Sequence, residues 1–454
     1  MSVYVISDLH IGAGPLDDCD TGCEDALVEF IRDLPTSSTD SSELVLNGDS
    51  FDFVQASPWK EAGFEASSSE GIPLCFDEET SLRKVRSIID SHPRIFSALG
   101  SYVVNGNARL TILPGNHDVD LYWPSVRTTI AESMGNPANL HWHMERRYVP
   151  KRAPHVMIEH GHQYDPVNAF FDCRTQQATE YWGSARPPIL PDVNGKNRLV
   201  ECVGTRFLIR FLNELDSRYP FVDNIKPFSR FVSVFGSSIG QFRGGTARAA
   251  FSVVAFARFF ASETFNAPRN LLSSSSTQMS TRSMIEEIEA ASGGAFSRAL
   301  ESFEFDFRGR SLELLLRDDD EIVRVIDFVL SQPELLDEVP IEEGFLGLSS
   351  ENDGTLSLAK GFLVDETKIL KDAAARLLVE HNVKCVVMGH THEKVDDLAY
   401  KNPGSWTRYW QMAKDDPTPG WAEMVKQASS LPLSPRYVVA APDATTPVQM
   451  IDFK

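Results

Sequence analysis

Short apolar runs recur along this chain, and each stops at a cluster of polar residues. Residues 3–7, 44–47, 110–113, 155–159 and 385–388 are rich in Val, Ile, Leu and Met and predict strands buried on both faces. Helical spacing alternates with them. Leu27, Phe30, Ile31 and Leu34 predict a helix over 24–34, and 82–99 and 368–382 predict two more. Residues 36–42 and 57–71 are Ser- and Gly-rich and predict loops, and 437–441 with 448–453 predict a hairpin. Strands alternating with helices, followed by late β segments, predict an α/β fold with functional groups at the carboxyl ends of strands.

More than 200 residues separate the fourth run from the fifth, too many for a loop in a compact domain. The pattern therefore predicts one domain built from both ends of the chain, over 1–165 and 365–454, interrupted by a mainly helical insert over 166–364. Residues 196–260 hold ten Lys/Arg against four Asp/Glu, and eleven of the 28 phenylalanines. Helices are expected there over 197–217 and 246–260, and further on over 283–290 and 321–331, with a Ser-rich linker at 271–279.

The whole chain, 454 residues long, carries a net charge of −21. That balance makes nucleic acid an unlikely partner, because non-specific binding needs a positive surface. The basic, Phe-rich insert suits a phosphorylated amphiphile or peripheral contact with a membrane instead. Six cysteines without a CxxC pair predict reduced thiols. With no signal peptide and no long apolar run, the expected location is cytoplasmic.

The polar clusters carry the chemistry. They are Asp8-Leu-His10, Gly48-Asp49-Ser-Phe-Asp52, Gly115-Asn116-His117-Asp118, His160-Gly-His162 and Gly389-His390-Thr-His392. Residues two apart in an extended segment point the same way, so Asp8 and His10 can grip one ion. Asp49 supplies a carboxylate that can bridge two ions, Asn116 a neutral oxygen, and His160, His390 and His392 imidazoles. Carboxylate and imidazole without thiolate suit two divalent ions, Mn first, with Fe or Zn as alternatives. Such a pair can hold a hydroxide that attacks phosphorus. His117, next to a ligand, can assist the leaving group, and Asp52 can orient His117. His162 is open between a supporting or substrate contact and no role. His92, His141, His143, His155 and His381 read as packing or surface residues.

Together these motifs resemble the calcineurin-like metallophosphoesterase superfamily, whose pattern is D-x-H, G-D-x-x-D, G-N-H-[DE], H and G-H-x-H. The resemblance covers about residues 1–165 and 365–454 and implies a four-layer αββα sandwich. It implies that Asp8, His10, Asp49 and His392 hold one metal and Asp49, Asn116, His160 and His390 the other. It also implies that His117 is catalytic, with Asp52 as its partner. Within the superfamily, Asp8-Leu-His10, Gly389-His-Thr-His392 and Asn402-Pro-Gly-Ser-Trp406 are similar to the UDP-2,3-diacylglucosamine pyrophosphatases. Those enzymes typically have Arg where His117 stands and Arg-Pro where Glu393-Lys394 stands.

The expectation is a metal-dependent hydrolase of phosphoester or pyrophosphate bonds. A DNA nuclease and a cyclic-nucleotide phosphodiesterase use the same ligand types. A scaffold of the same fold is the alternative of another class, although such scaffolds tend to lose ligands and none is lost here.

Overall fold

The structure, a computed structural model, describes residues 2–37, 41–56, 77–104, 107–165, 168–170, 366–411 and 430–454, with short pieces between 189 and 226 and near 424. The described residues form a mixed α/β arrangement with parallel and antiparallel sheets. Strands β1 (Ser2–Ile6), β2 (Ser42–Asn47), β3 (Arg109–Leu113) and β4 (Leu140–Trp142) lie side by side and parallel. A hairpin of β13 (Arg436–Ala440) and β14 (Gln449–Asp452) adds to β1 antiparallel and completes a six-stranded sheet. The second sheet has four strands. Its β5 (Val156–Ile158), β9 (Cys385–Val387) and β11 (Tyr400–Asn402) are parallel, and β10 (Val395–Asp396) closes it antiparallel.

Strand alternation divides the apolar residues between two cores. Ile6, Leu44, Leu46, Leu110 and Ile112 pack with helices α1 (Thr21–Asp33), α2 (Glu78–Ser91), α3 (Pro93–Val104) and α4 (Pro124–Ser133). Val3, Val5, Val45 and Leu113, on the opposite face, pack with Val156, Ile158, Cys385 and Val387 of the other sheet. Helix α5 (Glu366–Glu380) covers the outer side of that sheet, with Leu370, Ala374 and Leu377 against Met157, Val386 and Met388. Each fully buried Leu, Ile or Phe contributes about 2 kcal/mol. Among the described residues no helix is long and apolar enough to cross a membrane.

Local chemistry sets the helix ends. Asp20 caps α1 by accepting from the Cys23 amide at 2.8 Å, and Leu27, Phe30 and Ile31 form its buried stripe. The single helix expected over 82–99 is two. His92 departs from helical geometry and Pro93 opens α3, because a residue before proline is steered away from the helical region while proline fits a first turn.

Another expectation is corrected in the insert. The helix expected from Asn197 does not start there: β7 (Asn197–Leu199) pairs antiparallel with β6 (Ile189–Pro191), and that ladder takes up its backbone groups. β8 (Ile225–Lys226) pairs in parallel with β12 (Trp410–Gln411), which joins a segment from between 166 and 364 to the C-terminal part of the chain. The elements expected over 246–331 and the loop expected over 57–71 lie outside the described residues.

Candidate metal centre

The polar clusters follow the carboxyl ends of β1, β2, β3, β5 and β9, which are parallel within each sheet and so open on one edge. Backbone bonds lace the loops together. Asp8 N–H donates to Gly48 O, His10 N–H to Asp49 O, and Gly389 N–H to His160 O. Asp8, His10, Asp49, His390 and His392 all have left-handed φ, between 45° and 72°. Only Asn136 and Asn382 share that feature among the described non-glycine residues. Such backbone costs side-chain-bearing residues about 1–3 kcal/mol each and gathers at functional sites. Glycine makes two approaches possible. A Cβ at Gly48, at φ +77°, would run into the His160 ring, and one at Gly389 would run into Ser7 Oγ and Asp8 Oδ2.

Asp8, His10 and His392 form the first group, all buried. His10 Nε2 lies 2.9 Å from His392 Nε2, which is 3.4 Å from Asp8 Oδ1. His10 Nδ1 lies 2.8 Å from Asp52 Oδ2 and donates to it, so the neutral ring keeps Nε2 bare toward the group. Two donors about 2.1 Å from one ion stand roughly 3.0–3.4 Å apart at octahedral or tetrahedral angles. The spacing of this group matches that geometry.

Asp49, His160 and His390 form the second group. His160 Nδ1 donates to Asn47 O at 2.8 Å, which leaves its Nε2 bare, 3.1 Å from Asp49 Oδ2. At that distance either a proton on Nε2 or a metal ion between the two atoms satisfies both. Burial works to lower the His160 pKa, but Asp49 and Asp8 outweigh it and push it up to about 9. Burial also works to raise the Asp49 pKa, and His160, His117 and His10 hold it well below the usual carboxylate range. For Asp8, burial raises the pKa and repulsion from Asp49 adds to it, against the pull of His160. Asn116 Oδ1 and His160 Nε2 are buried with no hydrogen-bond partner among the described residues. A proton on His160 would serve one pair of atoms, whereas Asp49, His160 and His390 together present ligand atoms at metal-binding spacing. The donor set therefore fits metal ions.

His117 and Asp52 sit beside both groups. Asp52 Oδ2 accepts from His117 Nδ1 at 2.9 Å as well as from His10, so this carboxylate holds two imidazoles. Burial opposes its ionisation, and His117 and His10 overcome that to keep its pKa well below the usual range. The His117 amide donates to Asp49 Oδ1 at 2.8 Å, which ties the loop after β3 to the second group. Asp118 takes the amides of Gly115 and Ser50 and binds two motif loops together. Burial first, and Asp49 second, raise its pKa to about 7.

His162 is buried with its ring 5.3 Å from that of His160 and edge-on to Phe170 at 5.6 Å. Asn402–Trp406 buttresses the first group: the Trp406 amide and Ser405 Oγ donate to Asp8 O, and Asn402 Nδ2 to Gly389 O. Sequence reasoning missed Asp165, whose Oδ2 accepts from His390 Nε2 at 3.0 Å. It stands alone after a turn, with no periodicity to mark it. Of the histidines read as packing or surface residues, His92 is buried, between Asp17 and Glu24 at 2.6 and 2.8 Å. No family model, curated protein or solved structure shows a significant match to this chain.

Proposed function

We propose that the chain is a metal-dependent phosphoesterase of the calcineurin-like metallophosphoesterase superfamily, hydrolysing phosphoester or pyrophosphate bonds. The observation that carries the reading is the meeting of four separate strand ends in two groups of ion-ligand spacing, with an Asp-held histidine from the end of a fifth strand beside them. The order helices, sheet, sheet, helix agrees with the αββα sandwich of that superfamily.

Asp8, His10 and His392 would hold one ion and Asn116, His160 and His390 the other, with Asp49 shared. Two divalent ions, Mn first by ligand type, would supply Lewis acidity toward phosphate oxygens and a nucleophile from water at neutral pH. The chain's own groups do the rest. Asp52 fixes His117 by Nδ1 and stabilises its imidazolium, so that Nε2 delivers a proton to the departing oxygen. The packed loops hold these groups in place before substrate arrives. A phosphorylated small molecule or amphiphile is the substrate class, on the charge and Phe content of residues 196–260.

Turnover of bis-p-nitrophenyl phosphate and p-nitrophenyl phosphate by chelator-stripped, Mn-loaded protein tests the reading. His117→Ala should lose about 100-fold or more in kcat while still binding Mn. Wild-type rates in that variant, or turnover that persists in chelator, would contradict it.

A further inference from the structure

Behind the second group of ligands runs a chain of polar side chains. Asp165 is buried where the 3-10 turn His162–Tyr164 ends, five residues beyond His160. Its Oδ2 accepts from His390 Nε2 at 3.0 Å and from Asn168 Nδ2 at 2.6 Å. Asn168 Oδ1 accepts from Asn116 Nδ2 in a long 3.4 Å bond and from the Cys202 thiol at 3.7 Å. Cys202 and Thr205 are buried and bonded to each other, so the chain ends on a turn of the insert.

Each bond decides something its partner leaves open. A neutral imidazole has one bare nitrogen, and donation to Asp165 puts the hydrogen of His390 on Nε2 and leaves Nδ1 for an ion. A carboxamide has oxygen on one side and NH2 on the other. Asn168 Oδ1 takes the NH2 of Asn116 and turns the buried Asn116 Oδ1 the other way. Asn168 is itself oriented, because an ionised Asp165 only accepts.

We propose that Asp165 and Asn168 are positioning residues for the second ion: together they set the His390 tautomer and the Asn116 amide so that both present bare ligand atoms. The inference rests on the two-ion reading. It assigns work to Asp165, the last residue before the expected insert, and to Asn168, among the first residues within it. Outer partners of metal ligands typically carry 10- to 100-fold in metal affinity.

Mn titration of the full chain, read by bound-metal analysis, tests it beside 15N spectra of histidine-labelled, metal-free protein. Wild type should bind two ions and show His390 with its hydrogen on Nε2. Asn168→Ala should keep the first ion and weaken the second about 10- to 100-fold. Asp165→Leu should lose the fixed tautomer, and Asp165→Asn, which still offers an acceptor oxygen, should restore it. With Asn116→Asp, whose carboxylate presents oxygen either way round, Asn168→Ala should no longer matter. A wild type that binds two ions with an Asn168→Ala variant equally tight overturns the positioning role alone. A wild type that binds none overturns the two-ion reading and this inference with it.

Discussion

Five candidate ligands hold left-handed backbone that their side chains disfavour, and the surrounding hydrogen bonds must enforce it. Asp118, outside the ligand set, holds the loop that carries one of them, Asp49. Its carboxylate satisfies the buried amides of Gly115 and Ser50 and pins the loop after β3 to the loop after β2. Asp118→Ala leaves both amides without an acceptor. It should cost about 2–4 kcal/mol in urea unfolding, since each buried unsatisfied group costs about 1–3 kcal/mol. Loss of less than 1 kcal/mol would show that those amides find other partners. The residues gathered at the site were legible because each motif is contiguous and directly follows an apolar run. Asp165 and Asn168 were not. Their contacts depend on a 3-10 turn and on a partner at position 390, more than 200 residues away, and no local pattern encodes either.

At the scale of elements, His92 joins pieces that the apolar spacing fused into one helix. It ends α2, precedes α3, and reaches Glu24 of α1 and Asp17 of the loop after β1. Arg94 also faces Glu24, at 3.5 Å. Burial alone would lower the His92 pKa, but the bonds and charges of Asp17 and Glu24 outweigh it and hold it above the ordinary value. A histidine raised in this way stabilises fully below its unfolded pKa of about 6.5 and loses that contribution as pH rises through the higher folded value. The urea midpoint of metal-free wild type should therefore fall across that window, and His92→Asn should lack that part of the slope. Identical slopes in the two proteins would contradict the clasp. Helix content was legible from 3.6-residue spacing, whereas the break at His92-Pro93 turns on one proline inside an unbroken periodicity. The strand at Asn197–Leu199 was hidden differently: its pairing with Ile189–Pro191 overrides a local helical pattern.

On the scale of the whole molecule, two sheets face each other and bring the ends of five strands to one edge. That arrangement concentrates Asp8, Asp49 and Asp52 in a buried space inside a chain of net charge −21. Imidazoles alone offset part of this charge, and divalent cations complete the balance in the proposed state. The alternation of strands and helices made the α/β class legible, because strand and helix periods differ. The expectation of an insert rests on the length of the interruption and on a basic, Phe-rich composition, not on any pattern of elements. The measurement that bears most directly on the two-ion site is native mass spectrometry of the chain after chelator stripping and dialysis against Mn, beside His160→Ala. Wild type should carry two Mn ions per chain and the variant one. A wild type without bound metal, or a variant that still holds two ions, would contradict the account.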